Sequence, residues 1–175
     1  FMNSILSDWL SSLKQYFQMS LFLSSPAKLP HSPAPVLITV LAYIAVGELL
    51  LGDQRNLLSI TIQIGIEVLI LFCISFIALK FTQKPQRLVQ TVSALIGVSL
   101  IVSVVSLVIM SVLPDSGDAE QLNPLVVNIN LLLLFWNLAV ISLIFKRAFG
   151  VRTIVAGFIA LNYFVFYEFL LLNFF

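Results

Sequence analysis

Residues 57–113 read LLSITIQIGIEVLILFCISFIALKFTQKPQRLVQTVSALIGVSLIVSVVSLVIMSVL, two long apolar runs on either side of the basic turn KPQR at 84–87. Each run supplies the ~20 residues that an α-helix needs to cross ~30 Å of hydrocarbon. A barrel strand needs only about 10 alternating residues, and segments such as 96–99 or 131–134 show no two-residue period. Working outward, the same pattern recurs, giving apolar runs at about 35–52, 57–79, 88–113, 124–145 and 153–175. The expected fold is all-α: an integral membrane helical bundle with five transmembrane helices over 35–175, preceded by a separate segment at 1–34.

Charge orients that bundle. Lys14 and Lys28 precede the first run, Lys80, Lys84 and Arg87 separate the second from the third, and Lys146, Arg147 and Arg152 separate the fourth from the fifth. The alternate loops carry one base, Arg55, and four acids: Asp53, Asp115, Asp118 and Glu120. Short loops rich in Lys and Arg stay cytoplasmic during insertion, so the N-terminus is expected inside and the C-terminus outside. A bacterial inner membrane suits this pattern.

Composition narrows the functional classes. The chain is 60% hydrophobic and 10% charged with mean hydropathy +1.08, whereas a soluble domain carries roughly 25% charged residues. A net charge of +1 gives no electrostatic basis for nucleic acid as a partner. Cys73 is the one cysteine, so no internal disulfide forms. Phe1 ahead of Met2 reads as an added residue or an extended start. The N-terminus lacks the basic region and unbroken apolar core of a signal peptide.

Within 1–34, Ile5, Leu6, Trp9, Leu10, Leu13, Tyr16 and Phe17 recur every three or four residues, and Asn3 or Ser4 stands where a helix cap belongs. This predicts an amphipathic helix of about 15 residues lying in the cytoplasmic interface or covering that end of the bundle. Pro26, Pro30, Pro33 and Pro35 then impose an extended or turning lead-in to the first span. His31 is expected to be a solvated juxtamembrane imidazole.

Intramembrane acids are the first candidates for a polar site, because charge in hydrocarbon is costly. By rise per residue, Glu48 lies roughly 6 Å, Glu67 about 15 Å and Glu168 about 10 Å from the outer ends of their spans. Gln63, Asn128 and Asn130 fall in the same outer half, so several spans are expected to share one polar layer. Arg55 has the reach to snorkel towards Glu48 or Glu67. Otherwise the acids are expected to hydrogen-bond as neutral groups, to meet a basic group on a partner, or to hold a cation or proton.

Span three carries small residues at Ser93, Gly97, Ser99, Ser103 and Ser106, a spacing that lets helix backbones approach closely. It is expected to be the central helix, or else the seam of a homodimer. Catalysis is not expected. One His and one Cys far apart do not make a metal site, no intramembrane base stands ready to activate a serine, and no Gly-rich phosphate loop occurs. No cofactor is expected.

The cytoplasmic N-terminal segment, Leu29-Pro30 with Pro33 and Pro35, and five closely spaced helices resemble the layout of Yip1-like proteins. RLVQTVSALIG at 87–97 is similar to the start of the third span in bacterial members. The Asp-Leu-Tyr-Gly-Pro signature of eukaryotic members does not occur in this chain. The resemblance implies a non-enzymatic membrane organiser and carries over no functional residues. The expected function is a non-catalytic adaptor, assembly factor or accessory subunit, in contact with lipid and with a membrane-protein partner or further copies of itself. The alternative is a small ion- or proton-coupled transporter using the outer-half glutamates.

Overall fold

The structure, a computed structural model, describes residues 2–52, 56–112 and 124–174, with side chains described over 7–52, 56–112 and 124–173. The side chains of Asn3, Ser4, Ile5 and Leu6, together with Arg55, Asp53, Asp115, Asp118 and Glu120, lie outside the described residues. Regular structure among the described residues is entirely helical: α1 (Met2–Ser20), α2 (Ala34–Leu51), α3 (Leu57–Phe81), α4 (Leu88–Val112), α5 (Pro124–Phe145) and α6 (Thr153–Phe174). Helices α2 to α6 are long and apolar enough to cross a membrane. Their outer faces expose large apolar side chains such as Leu49, Leu69, Phe135, Phe158 and Leu172, a surface suited to lipid.

Local chemistry sets the helix ends. Pro35 sits in the first turn of α2, where a missing N–H costs nothing. Asn56 caps α3, its Oδ1 accepting from Ser59 N at 2.8 Å. Both α1 and α3 end in a six-to-one closure: Leu23 N donates to Gln18 O and Lys84 N donates to Leu79 O, each at 2.8 Å. The left-handed residue that this closure requires is Phe22 in one case (φ 66) and Gln83 in the other (φ 56), where glycine is usual. Between α5 and α6, Lys146–Gly150 form a π-turn ending at Gly150 with φ +74, and Lys84 Nζ donates to Phe149 O at 3.0 Å. A Cβ at position 150 would stand 2.5 Å from that Nζ.

Helix α4 is the hub, packing against α1, α2, α3 and α5, while α6 packs on α5 and α3. Every residue from Thr91 to Leu100 is buried. That burial commits this stretch to packing within the chain, as expected of a central helix. The five small residues do not share one face. Ser93 and Gly97 meet Tyr16 of α1, whereas Ser99 turns to Glu67 of α3 and Ser103 to Tyr43 of α2. Ser106 is half-buried further along. The reason is helical phase: six residues from Ser93 to Ser99 advance about 240° at ~100° each. A second small-residue seam lies on α6, where Ala156 and Ala160 are fully buried and Gly157 faces Ser142 of α5.

Helix α1 lies across the spans instead of extending from them. Trp9 Nε1 donates to Thr39 Oγ1 of α2 (3.3 Å), the Tyr16 hydroxyl bonds Ser93 Oγ of α4 (2.7 Å), and Trp136 Nε1 of α5 donates to Ser20 O (2.9 Å). Its path therefore crosses α2, α4 and α5 in turn. This divides the apolar set that the sequence placed on one face. Tyr16 is buried, and Trp9 and Leu13 are half-buried, Leu13 against the core. Leu10 and Phe17 remain 55% and 54% exposed on the outward side.

Prolines in the lead-in stop its carbonyls from being satisfied by a helix, so side chains supply donors. Arg147 donates to Ser24 O and, at 3.2 Å, to Phe22 O. Gln90 Nε2 donates to Ala27 O and Leu29 O. Ser24 Oγ donates to Gln15 Oε1 at 2.6 Å.

Candidate functional site

Half-way along the bundle, four spans meet at one carboxyl group. Glu67 of α3 is 6% exposed. Its Oε2 accepts from the Tyr43 hydroxyl of α2 at 2.7 Å. Its Oε1 accepts from Tyr163 of α6 at 3.2 Å and from Ser99 of α4 at 3.4 Å. Each donor reaches this level because its helix has run a comparable distance from the same end. Tyr43, Ser99 and Tyr163 stand 9, 11 and 10 residues into α2, α4 and α6, about 14 to 17 Å along their axes. One turn from Glu67, Gln63 Nε2 donates to the Tyr167 hydroxyl at 3.2 Å. Tyr163 and Tyr167 stack with ring centroids 6.2 Å apart, so α6 presents both from one face.

Beside this network lies a cavity of about 190 Å³ lined by residues of α2, α3, α5 and α6. Its polar lining is Glu67, Glu168, Asn137, Tyr43, Tyr163 and Tyr167; Leu134, Leu138, Ile141 and Phe164 complete the wall. Asn137 Oδ1 is buried with no hydrogen-bond partner among the described residues. At about 30 Å³ per water, the space would hold roughly six.

The sequence-derived polar layer is thus only partly one place. Glu67 and Glu168 line the same cavity, and Gln63 joins it through Tyr167. Glu48 stands apart in the last turn of α2 beside Gly52, with its Oε2 buried and lacking a hydrogen-bond partner among the described residues. Asn128 and Asn130 are exposed on α5. The amide that reaches the cavity is instead Asn137, about 13.5 Å further along that helix from Asn128. The tyrosines were missed by reading for charge alone. A signal existed: interfacial belts place Tyr near span ends, and a Tyr at mid-span needs a partner for its hydroxyl. Tyr163 and Tyr167 also fall four residues apart, on one helical face.

Chemically, the site offers oxygen acceptors and aromatic faces. Every hydrogen bond Glu67 makes among the described residues comes from a hydroxyl, and both of its oxygens accept. Among the described residues no group of three His, Cys, Asp or Glu side chains is placed to hold a metal ion. No protein-family model, curated protein or solved structure matches the chain.

Proposed function

We propose that this chain is a non-catalytic adaptor or accessory subunit of a membrane complex, seated in a bacterial inner membrane with its N-terminus cytoplasmic and its C-terminus outside. The observation that carries the reading is the outward side of α1. Its inward side is used up against α2, α4 and α5, yet Leu10 and Phe17 face away, followed by exposed Leu21, Phe22 and Leu23. An apolar ridge on a helix that crosses other spans serves as an amphipathic element, meeting the lipid interface or a partner's helix. The Yip1-like resemblance, which implies a membrane organiser, points the same way. Support for the orientation is the cluster of bases where α3 joins α4 and α5 joins α6.

The test is photo-crosslinking in native membranes from positions 10 and 17, with Leu172 on α6 as a lipid-facing control, followed by mass spectrometry. One recurring protein adduct at 10 and 17, absent at 172 and co-purifying in mild detergent, is the expected result. Lipid adducts alone at all three positions would remove the accessory-subunit reading.

A second reading, an ion- or proton-coupled transporter, is favoured by the convergence of Glu67 and Glu168 on one cavity. Cation-driven flux in proteoliposomes, lost in Glu168→Gln, is its test; equal flux in empty vesicles would end it.

A further inference from the structure

The cavity beside Glu67 has a composition that hydrogen bonding within the protein does not account for. Its polar atoms are weighted towards acceptors: two carboxyl groups and the orphaned Asn137 Oδ1. Glu67 already takes three hydroxyl donors and has no basic partner among the described residues. A carboxylate within hydrocarbon is tolerated where an opposite charge shares its space. Tyr43, Tyr163, Tyr167 and Phe164 add aromatic rings to the lining, side chains whose faces attract cations through their quadrupoles. Leu134, Leu138 and Ile141 give the cavity an apolar side along α5.

We propose that this cavity is a binding site for a small organic cation of the alkylammonium class. The ammonium group lies between Glu67 and Glu168, donates to Asn137 Oδ1 and stands against the tyrosine rings, while the alkyl part packs on the leucines and isoleucine of α5. Size separates this class from a bare alkali ion. About 190 Å³ is several times the share of one water, and an unhydrated inorganic ion would leave most of the cavity lining without contact. The apolar side along α5 gives a short carbon chain a surface to pack on. The site concerns occupancy, not movement, so it stands independently of both the adaptor and the transporter readings.

The experiment is equilibrium binding to the full chain in lipid nanodiscs, read as a shift in Tm and by calorimetry at constant ionic strength. Butylammonium chloride is the probe, with sodium chloride, potassium chloride and 1-butanol as separate arms. Saturable stabilisation by butylammonium in the millimolar range is expected, with 1-butanol giving none and the alkali salts at least tenfold less effective. Glu67→Gln is expected to weaken binding at least tenfold. Because that variant removes part of the network joining four helices, Glu168→Gln provides the second measurement: it is expected to keep the ligand-free Tm and still lose binding at least tenfold. Equal stabilisation by sodium or potassium would overturn the alkylammonium assignment. An unsaturable shift, or a butylammonium response unchanged in Glu168→Gln, would overturn the site itself.

Discussion

Gly97→Ala is the sharpest probe of how α1 is held. A Cβ at position 97 would overlap the ring of Tyr16, which is fully buried and tied by its hydroxyl to Ser93 at 2.7 Å. The ring has nowhere to step aside without giving up that bond, so the substitution overpacks the site, at a cost of about 1–3 kcal/mol. Helix propensity works in the other direction: replacing glycine by alanine inside α4 gains about 1 kcal/mol. The net expectation in the otherwise unchanged chain is a loss of about 1 kcal/mol. In a Tyr16→Ala background the clash is absent and only the propensity gain remains, so the same substitution is expected to stabilise by up to about 1 kcal/mol. The coupling between the two positions is then about 2 kcal/mol, well above the few tenths expected of independent sites. Global stability is measured by unfolding in mixed micelles followed by circular dichroism. Detachment of α1 is read separately from thiol labelling of Ser12→Cys in a Cys73→Ser background, because Ser12 is fully buried on the docked side of α1. The same cost in both backgrounds would refute this account of the Gly97–Tyr16 contact.

Other substitutions test other parts of the bundle. Gly150→Ala meets both a φ of +74 and the Lys84 ammonium, so a destabilisation of about 1–2 kcal/mol is expected in the same unfolding assay. Gln83→Gly has the opposite sign, since it relieves a left-handed residue at an exposed helix end; a gain of about 0.5–1 kcal/mol should appear as a higher Tm. Tyr43→Phe removes one donor to Glu67, and a loss of about 0.5–2 kcal/mol is expected, the range measured for hydrogen bonds between membrane helices. Gln90→Leu deprives the carbonyls of Ala27 and Leu29 of a shared donor; faster tryptic cleavage after Lys28 is expected at little change in global stability.

Much of the architecture could be read from the chain because a bilayer imposes length and apolarity on each span. The helix ends fall within two residues of the apolar runs at 35–52, 57–79, 88–113, 124–145 and 153–175. Left-handed closures at Phe22 and Gln83 were not readable, since neither residue is a glycine or asparagine. Spacing alone also misled on α4: residues four apart share a face, but the two pairs Ser93–Gly97 and Ser99–Ser103 point about 120° apart around the helix. At the candidate site, Glu67 stood out because an acid in an apolar run is conspicuous. Asn137 did not, because which of three amides on α5 turns inward depends on the rotation of that helix against its neighbours. That rotation is set by packing such as the Ala156–Ala160 seam, which lies on another helix.

The anchors that hold α1 and its lead-in have a consequence for biosynthesis. Ser20, Phe22 and Ser24 are gripped by Trp136 and Arg147, separations of 116, 125 and 123 residues in the chain. At roughly 5–20 residues per second, synthesis needs about 6–25 seconds to cover such a distance. The end of α1 and its lead-in are therefore fully anchored only after α5 and the turn that follows it have been made. Throughout that interval α1 has only its contacts with α2 and, once it is made, α4 to rest on, through Trp9–Thr39 and Tyr16–Ser93. Insertion of α5 completes the grip on Ser20, and the turn after it completes the grip on Phe22 and Ser24, so N-terminal docking reports that nearly the whole bundle has arrived.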